Sequence, residues 1–188
     1  MRGFNVARGN ITGVPMMQIL TDFKGEDAAL TALFTATFSA SEGGEEGARI
    51  GAFVTDLLAR TPPEDIRIFA AKDGAALIGA AIFSRLDYPE DPKRVMILSP
   101  MAVATDRQGQ GVGQALIRHA LDALRDAGEE VAITYGDPAF YGRVGVKPLT
   151  EDQARAPLPL SFPHGWIGQS LTGEDAPKLC GTPRCVAA

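Results

Sequence analysis

Hydrophobic positions along the chain change their period several times, and each change marks an element. Residues 18–22 read as a first strand. Between residues 24 and 40, Ala28, Leu30, Leu33, Phe34, Thr37 and Phe38 recur at helical spacing. The polar stretch 41–45 reads as a loop leading to a second helix, which ends near Arg60 where Pro62 and Pro63 stop it. Apolar runs at 66–71 and 75–83 flank Asp73 and Gly74, the pattern of a β-hairpin. After a polar, proline-containing loop at 87–92, residues 95–103 are apolar almost throughout, as expected of a strand covered on both faces. Pro100 lies inside that run and cannot donate a ladder hydrogen bond, so a bulge or a splay is predicted there.

A glycine-rich turn follows, and then Val112, Ala115, Leu116, Ala120, Ala123, Leu124 and Ala127 form one face of a helix that Gly128 ends. Gln114, Arg118, Asp122 and Arg125 form the other face. Residues 130–135 read as a strand, 138–144 as a short helix, 145–149 as a return strand and 166–171 as a last strand. The organisation expected is a leader of doubtful status at 1–16, one globular domain at 17–172 and a loose tail at 173–188.

Composition narrows the partners. With 188 residues and 45% hydrophobic content, one compact core is expected. A net charge of -5 argues against a nucleic-acid or anionic-membrane surface, which selects clustered Lys and Arg. Cys180, Cys185, His119 and His164 are too few and too scattered for a structural zinc set, so no metal is expected. No signal-peptide core and no apolar run long enough to span a bilayer is present, so a cytoplasmic location is expected, with no membrane partner.

The candidate chemistry begins at the turn. Gly109, Gly111 and Gly113 remove side chains just before a helix, so that backbone N–H groups can approach an anion at the positive helix end. A phosphate or pyrophosphate is the direct reading, although glycines also serve tight connections without any ligand. The glycines run G-x-G-x-G, which excludes the dinucleotide fingerprint G-x-G-x-x-G, and no lysine follows as a P-loop requires. The order Gln108, Gly109, Gln110, Gly111, Val112, Gly113 after Arg107 resembles the acyl-CoA signature of the GNAT superfamily of N-acetyltransferases. Residues 98–103 and 135–145 look like its bacterial YhbS-like branch.

That resemblance implies an α/β (mixed α+β) fold with a mostly antiparallel central sheet splayed at its fourth strand and flanked by helices. It implies acetyl-CoA as cosubstrate, with Met101, Ala102 and Val103 along the pantetheine arm and Gln108, Gly109, Gln110, Gly111, Val112, Gly113 and Gln114 around the pyrophosphate. Splayed strands leave unpaired N–H and C=O groups that the amides of pantetheine can satisfy in the manner of an added strand. The N–H of Val103 is then a candidate to polarise the thioester carbonyl. Tyr141 occupies the family's tyrosine position, four residues before Gly145, where its phenol would protonate the departing thiolate; a pair of core aromatics with Phe140 is the competing reading. Two departures from the family pattern are Thr134, where an Asn is usual, and Val146, where Phe follows the glycine.

For a general base the candidates are Ser99, Asp137 or a water chain, while His119 and His164 read as surface or turn residues. The acidic stretch 41–46 is expected to border the acceptor site, where it could attract a cationic amine, an ordinary solvated loop being the alternative. Cys180 and Cys185 read as inert thiols. The function expected is acetyl transfer to a primary amine, small-molecule or peptidyl, by direct attack in a ternary complex. The alternatives are a catalytically weak CoA-binding sensor or regulatory module on the same fold, and a different nucleotide-binding α/β protein. A homodimer is left open.

Overall fold

The computed structural model describes residues 17–173 and 177–186, so the proposed leader 1–16 lies outside the described residues. The elements run β1 (Gln18–Leu20), α1 (Asp27–Glu42), α2 (Gly44–Arg60), β2 (Ile66–Asp73), β3 (Ala76–Asp87), β4 (Val95–Val103), α3 (Val112–Asp126), β5 (Val131–Tyr135), α4 (Pro138–Tyr141), β6 (Lys147–Pro148), β7 (Trp166–Ser170) and β8 (Arg184–Cys185). Seven strands are ordered β1-β2-β3-β4-β5-β7-β6, with β8 pairing against β3. Every pair is antiparallel except β4 with β5. The mixed, mostly antiparallel sheet expected from the sequence is therefore present.

Helices cover both faces. On one face α3 packs Leu116, Ile117, Ala120, Leu121 and Leu124 against Phe69, Phe83, Met96 and Leu98. On the other, α1 and α2 bring Leu30, Phe34, Val54 and Leu57 against Ile68, Ala80 and Ile82. Ile117 and Leu121 belong to the buried stripe of α3 although the predicted face omitted them, and Ala127, predicted inside, is exposed. The stripe is wider than a minimal repeat because the helix packs against the side chains of several strands.

The predicted loop at 41–45 is reduced to Gly43, whose φ of 99 turns the chain directly from α1 into α2. Ser41, Glu42 and Glu45 look loop-like in sequence because they are exposed, yet they continue the helices on the solvent side. The two helices pack closely through glycines, since a methyl group at Gly47 would overlap the Ser39 side chain and the Thr35 carbonyl.

Part of the segment expected to be a loose tail folds back on the domain. Leu179 is buried in a third cluster with Leu86, Tyr88 and Trp166, and its N–H donates to the Gln153 carbonyl. The Cys180 N–H donates to Asp91, and β8 pairs Cys185 with Leu86. These partners lie far upstream, so no local pattern announces them.

The parallel ladder between β4 and β5 is fixed at its closed end by a buried carboxylate. Glu129, 1% exposed, accepts from Arg85 at 2.6 and 3.0 Å and from Arg94 at 2.8 Å. Burial alone would raise its pKa, but the Arg85 bonds and charge, followed by those of Arg94, outweigh desolvation and hold it below the usual carboxylate range.

Candidate active site

The predicted irregularity at Pro100 takes two forms. Against β3, Phe83 faces Leu98 while Ala81 faces Met101, so two residues of travel along β3 match three along β4. This bulge at Ser99 and Pro100 changes which side chains share a face. Met96 and Leu98 before it, and Met101 and Val103 after it, all contribute to the core on the α3 side. Uninterrupted alternation would have turned Met101 and Val103 to the opposite face. Against β5, pairing ends at Leu98 and Thr134, and the two strands part. The buried Thr134 hydroxyl donates to the Leu98 carbonyl at 3.0 Å and so closes the base of the slot.

Backbone groups beyond that point face the slot. The Ala104 N–H donates to the Ile78 carbonyl on β3. Because successive residues of an antiparallel strand point their polar groups to alternate sides, Val103 and Met101 direct theirs away from β3. The Val103 carbonyl accepts from the Gln108 side chain at 3.0 Å. The Gln108 amide therefore braces the strand end, a role its position in the motif did not reveal.

A cavity of about 480 Å³ lies beside the slot. Nine of the ten predicted cosubstrate contacts line it: Met101, Ala102, Val103, Gln108, Gly109, Gly111, Val112, Gly113 and Gln114. The exception is Gln110, which turns outward and donates to the Asp106 carbonyl. Gly109 and Gly111 adopt φ of 73 and 82 with open space where a Cβ would stand, as an exposed backbone cradle requires. Gly113 has a different reason. It lies inside α3, where a Cβ would meet Met101 at 2.9 Å and Phe140 at 3.0 Å, so it sets how closely the helix approaches β4. The N-terminus of α3 has no side-chain cap, leaving its first N–H groups and positive dipole end directed at the cavity.

Two arginines missed by the sequence reading also line this cavity. Arg107 is bound to Asp73 at 2.9 Å. Arg143 makes no side-chain ion pair among the described residues and is exposed at the cavity wall.

Tyr141 reaches the cavity from the end of α4. Asp137 caps that helix, its side chain accepting from the Ala139 N–H at 2.8 Å and its carbonyl from Phe140 and Tyr141. As a candidate base Asp137 is displaced: it lines neither this cavity nor the one described next, and one oxygen is held by the cap. The Tyr141 ring lies over Gly136, where even a methyl group would overlap it. Its hydroxyl points to the Met101 sulfur at 3.8 Å. Burial pushes the phenol above its ordinary pKa, with a Thr134 hydrogen bond opposing this, so the group keeps its proton at neutral pH. Tyr141 also packs on the core, so the structural and the chemical readings of the aromatic pair coexist.

A second cavity, of about 830 Å³, opens beside α2 and is lined by Phe53, Leu57, Ser99, Tyr135, Leu158 and Trp166 among others. Ser99 is thus two residues from Met101 in sequence but belongs to the other cavity. The acidic stretch 41–46 contributes nothing here: Ser41 lines the first cavity and Glu46 pairs with Arg49. No carboxylate or imidazole lines either cavity among the described residues. His119 bonds Thr21 and meets Phe69 edge to face, and His164 meets Phe162 edge to face. No group of described residues is arranged to hold a metal, and no described helix is long and apolar enough to cross a membrane.

Comparison with known proteins gives a consistent result. The model of the Acetyltransferase (GNAT) family matches residues 28–145. The uncharacterized N-acetyltransferase YjhQ of Escherichia coli K12 is 34% identical over 125 residues, 64% of this chain and 68% of YjhQ. The uncharacterized N-acetyltransferase YhbS of the same strain is 30% identical over 92 residues, so the match spans 49% of this chain and 55% of YhbS. The crystal structure of E. coli YhbS in complex with CoA superposes with a TM-score of 0.76 at 22% identity, covering 91% of this chain and 90% of the other. A GNAT acetyltransferase from Brucella melitensis in complex with acetyl-CoA gives 0.67 at 24% identity, covering 89% and 95%. At such identities these two structures speak for the fold, while the family model, matching more than half the chain, decides membership. The chain belongs to the GNAT family of acetyltransferases, whose cosubstrate is acetyl-CoA.

Proposed function

We propose that the protein transfers the acetyl group of acetyl-CoA to a primary amine within a ternary complex, with the donor in the smaller cavity and the amine entering from the larger. The observation that carries this is the slot beyond Leu98 and Thr134, with Val103 backbone groups facing it and a protonated Tyr141 at its edge. N–H groups directed into the slot suit the amides of a pantetheine arm, and the uncapped α3 terminus with Gly109 and Gly111 suits a pyrophosphate. Arg143, which makes no ion pair among the described residues, adds a cation for phosphate.

In the reaction the amine nitrogen bonds to the acetyl carbon, the carbon–sulfur bond breaks, and the amine loses a proton. The Val103 N–H supports charge on the carbonyl oxygen, and Tyr141 returns a proton to the departing sulfur. With Asp137 engaged in its cap, the amine proton leaves through water along the larger cavity, past Ser99. The lack of a carboxylate or imidazole in either described lining favours one competing reading, a CoA-binding sensor; binding without turnover across an amine panel would select it.

Thermal shift separates the donor classes. CoA and acetyl-CoA raise the melting temperature, by about 2.7 kcal/mol of stabilisation at a hundredfold excess over Kd, while NADH and ATP do not. Equal shifts with all four ligands would sink the reading. Within the site, Arg143→Ala weakens CoA binding roughly fivefold, and the difference from the parent shrinks as salt is raised. Calorimetry that shows the same Kd for both proteins removes Arg143 from the phosphate site.

A further inference from the structure

We infer that the acceptor is a primary amine carried on an apolar, preferentially aromatic, body without a second cationic group. The inference rests on the acetyl-transfer reading and assigns the larger cavity's substrate class. That cavity presents large apolar side chains to solvent: Leu158 is 73% exposed, Tyr135 48% and Phe53 42%. Exposed large hydrophobics gathered around one concavity mark a binding surface, whereas scattered single ones need no explanation. Pro157 and Pro159 flank Leu158 and limit the backbone freedom of its loop, so holding it outward costs little entropy.

Charge points the same way. Arg184 is the one charged residue among the described lining residues. It stands opposite Asp87 in the strand register, but forms no ion pair among the described residues. A polyamine or aminoglycoside would bring further ammonium groups into this apolar space, where each needs a carboxylate partner to offset its desolvation. The described lining offers none and supplies a repelling guanidinium instead. An amine with one cationic end and an apolar remainder meets this cost only once, at the end that sheds its proton to react. Its body occupies the space between Leu158, Phe53 and Tyr135, and its amine points past Ser99 toward the bulge.

The test uses the full chain with acetyl-CoA and measures CoA release with 2-phenylethylamine and tryptamine against spermidine and kanamycin. The expected kcat/KM is at least ~10-fold higher for the arylalkylamines. Leu158→Asp, at an exposed loop position, lowers their kcat/KM by about tenfold with acetyl-CoA affinity unchanged, and Arg184→Glu shifts preference toward spermidine by about tenfold. Preference for the polycations in the parent protein overturns the inference, as does acetyl-CoA binding with no amine in the panel accepted. An unaltered acceptor kcat/KM in Leu158→Asp also overturns it. So does sedimentation showing a dimer that Leu158→Asp dissociates, because the face would then belong to a second copy. Failure of the parent protein to bind acetyl-CoA at all is a separate result and overturns the acetyl-transfer reading itself.

Discussion

Replacing Tyr141 by phenylalanine lowers turnover by ~10²-fold and leaves CoA affinity within about twofold, the pattern of a group that acts only as the leaving group departs. The substitution removes one oxygen and keeps the ring that covers Gly136 and packs against Phe140. Folding should therefore survive, and a melting temperature near that of the parent protein checks that it does. The pH profile supplies an independent readout. Burial holds the phenol's pKa above its ordinary value, so the acid form is present through neutral and mildly basic pH and activity falls only as pH rises through that elevated pKa. The phenylalanine variant loses this basic limb along with the rate. A variant with unchanged turnover would leave Tyr141 as a packing residue alone.

Glu129→Ala destabilises the fold by about 3 kcal/mol, read as a lower urea midpoint at unchanged slope. The carboxylate is 1% exposed and holds two guanidinium groups, and its loss leaves Arg85 with only Asp65, at 3.5 Å, while Arg94 turns to solvent. The pH dependence has a definite sign. Because the folded-state pKa lies below the unfolded one, the carboxylate's contribution is complete above the ordinary carboxylate range and disappears as pH falls through the depressed value. The parent protein loses stability on acidification that the alanine variant has already lost, so the two denaturation curves converge at low pH. Curves that stay parallel down to acid pH would contradict this account.

How much of this could be read in the sequence depends on the range of each interaction. The hairpin around Gly74, the helix after Gly111 and the irregularity at Pro100 are set by neighbouring residues, and each is present as predicted. Most of the smaller cavity's lining was legible too, because a glycine turn and the strand before it are contiguous in the chain. Distant partners were not. Glu129 looks like an ordinary polar residue before a strand until the fold brings Arg85 and Arg94 to it. Leu179 and β8 find their partners roughly a hundred residues upstream or across a proline-rich loop. Apart from Ser41, the acidic stretch at 41–46 lines neither cavity, because its charges describe exposure, whereas which cavity a residue reaches is decided by how α1 and α2 lie on the sheet.

The bulge at Ser99 and Pro100 gives β4 a form of mutational independence. Ile97 before it and Ser99 within it line one cavity, and Met101 and Val103 after it line the other. Substitutions upstream can therefore reshape one chamber without touching the wall of its neighbour. Removing a single residue here would restore strict alternation and exchange the surroundings of every later side chain on the strand. The side chains facing the two cavities can change separately at this point, but the strand can hardly change in length.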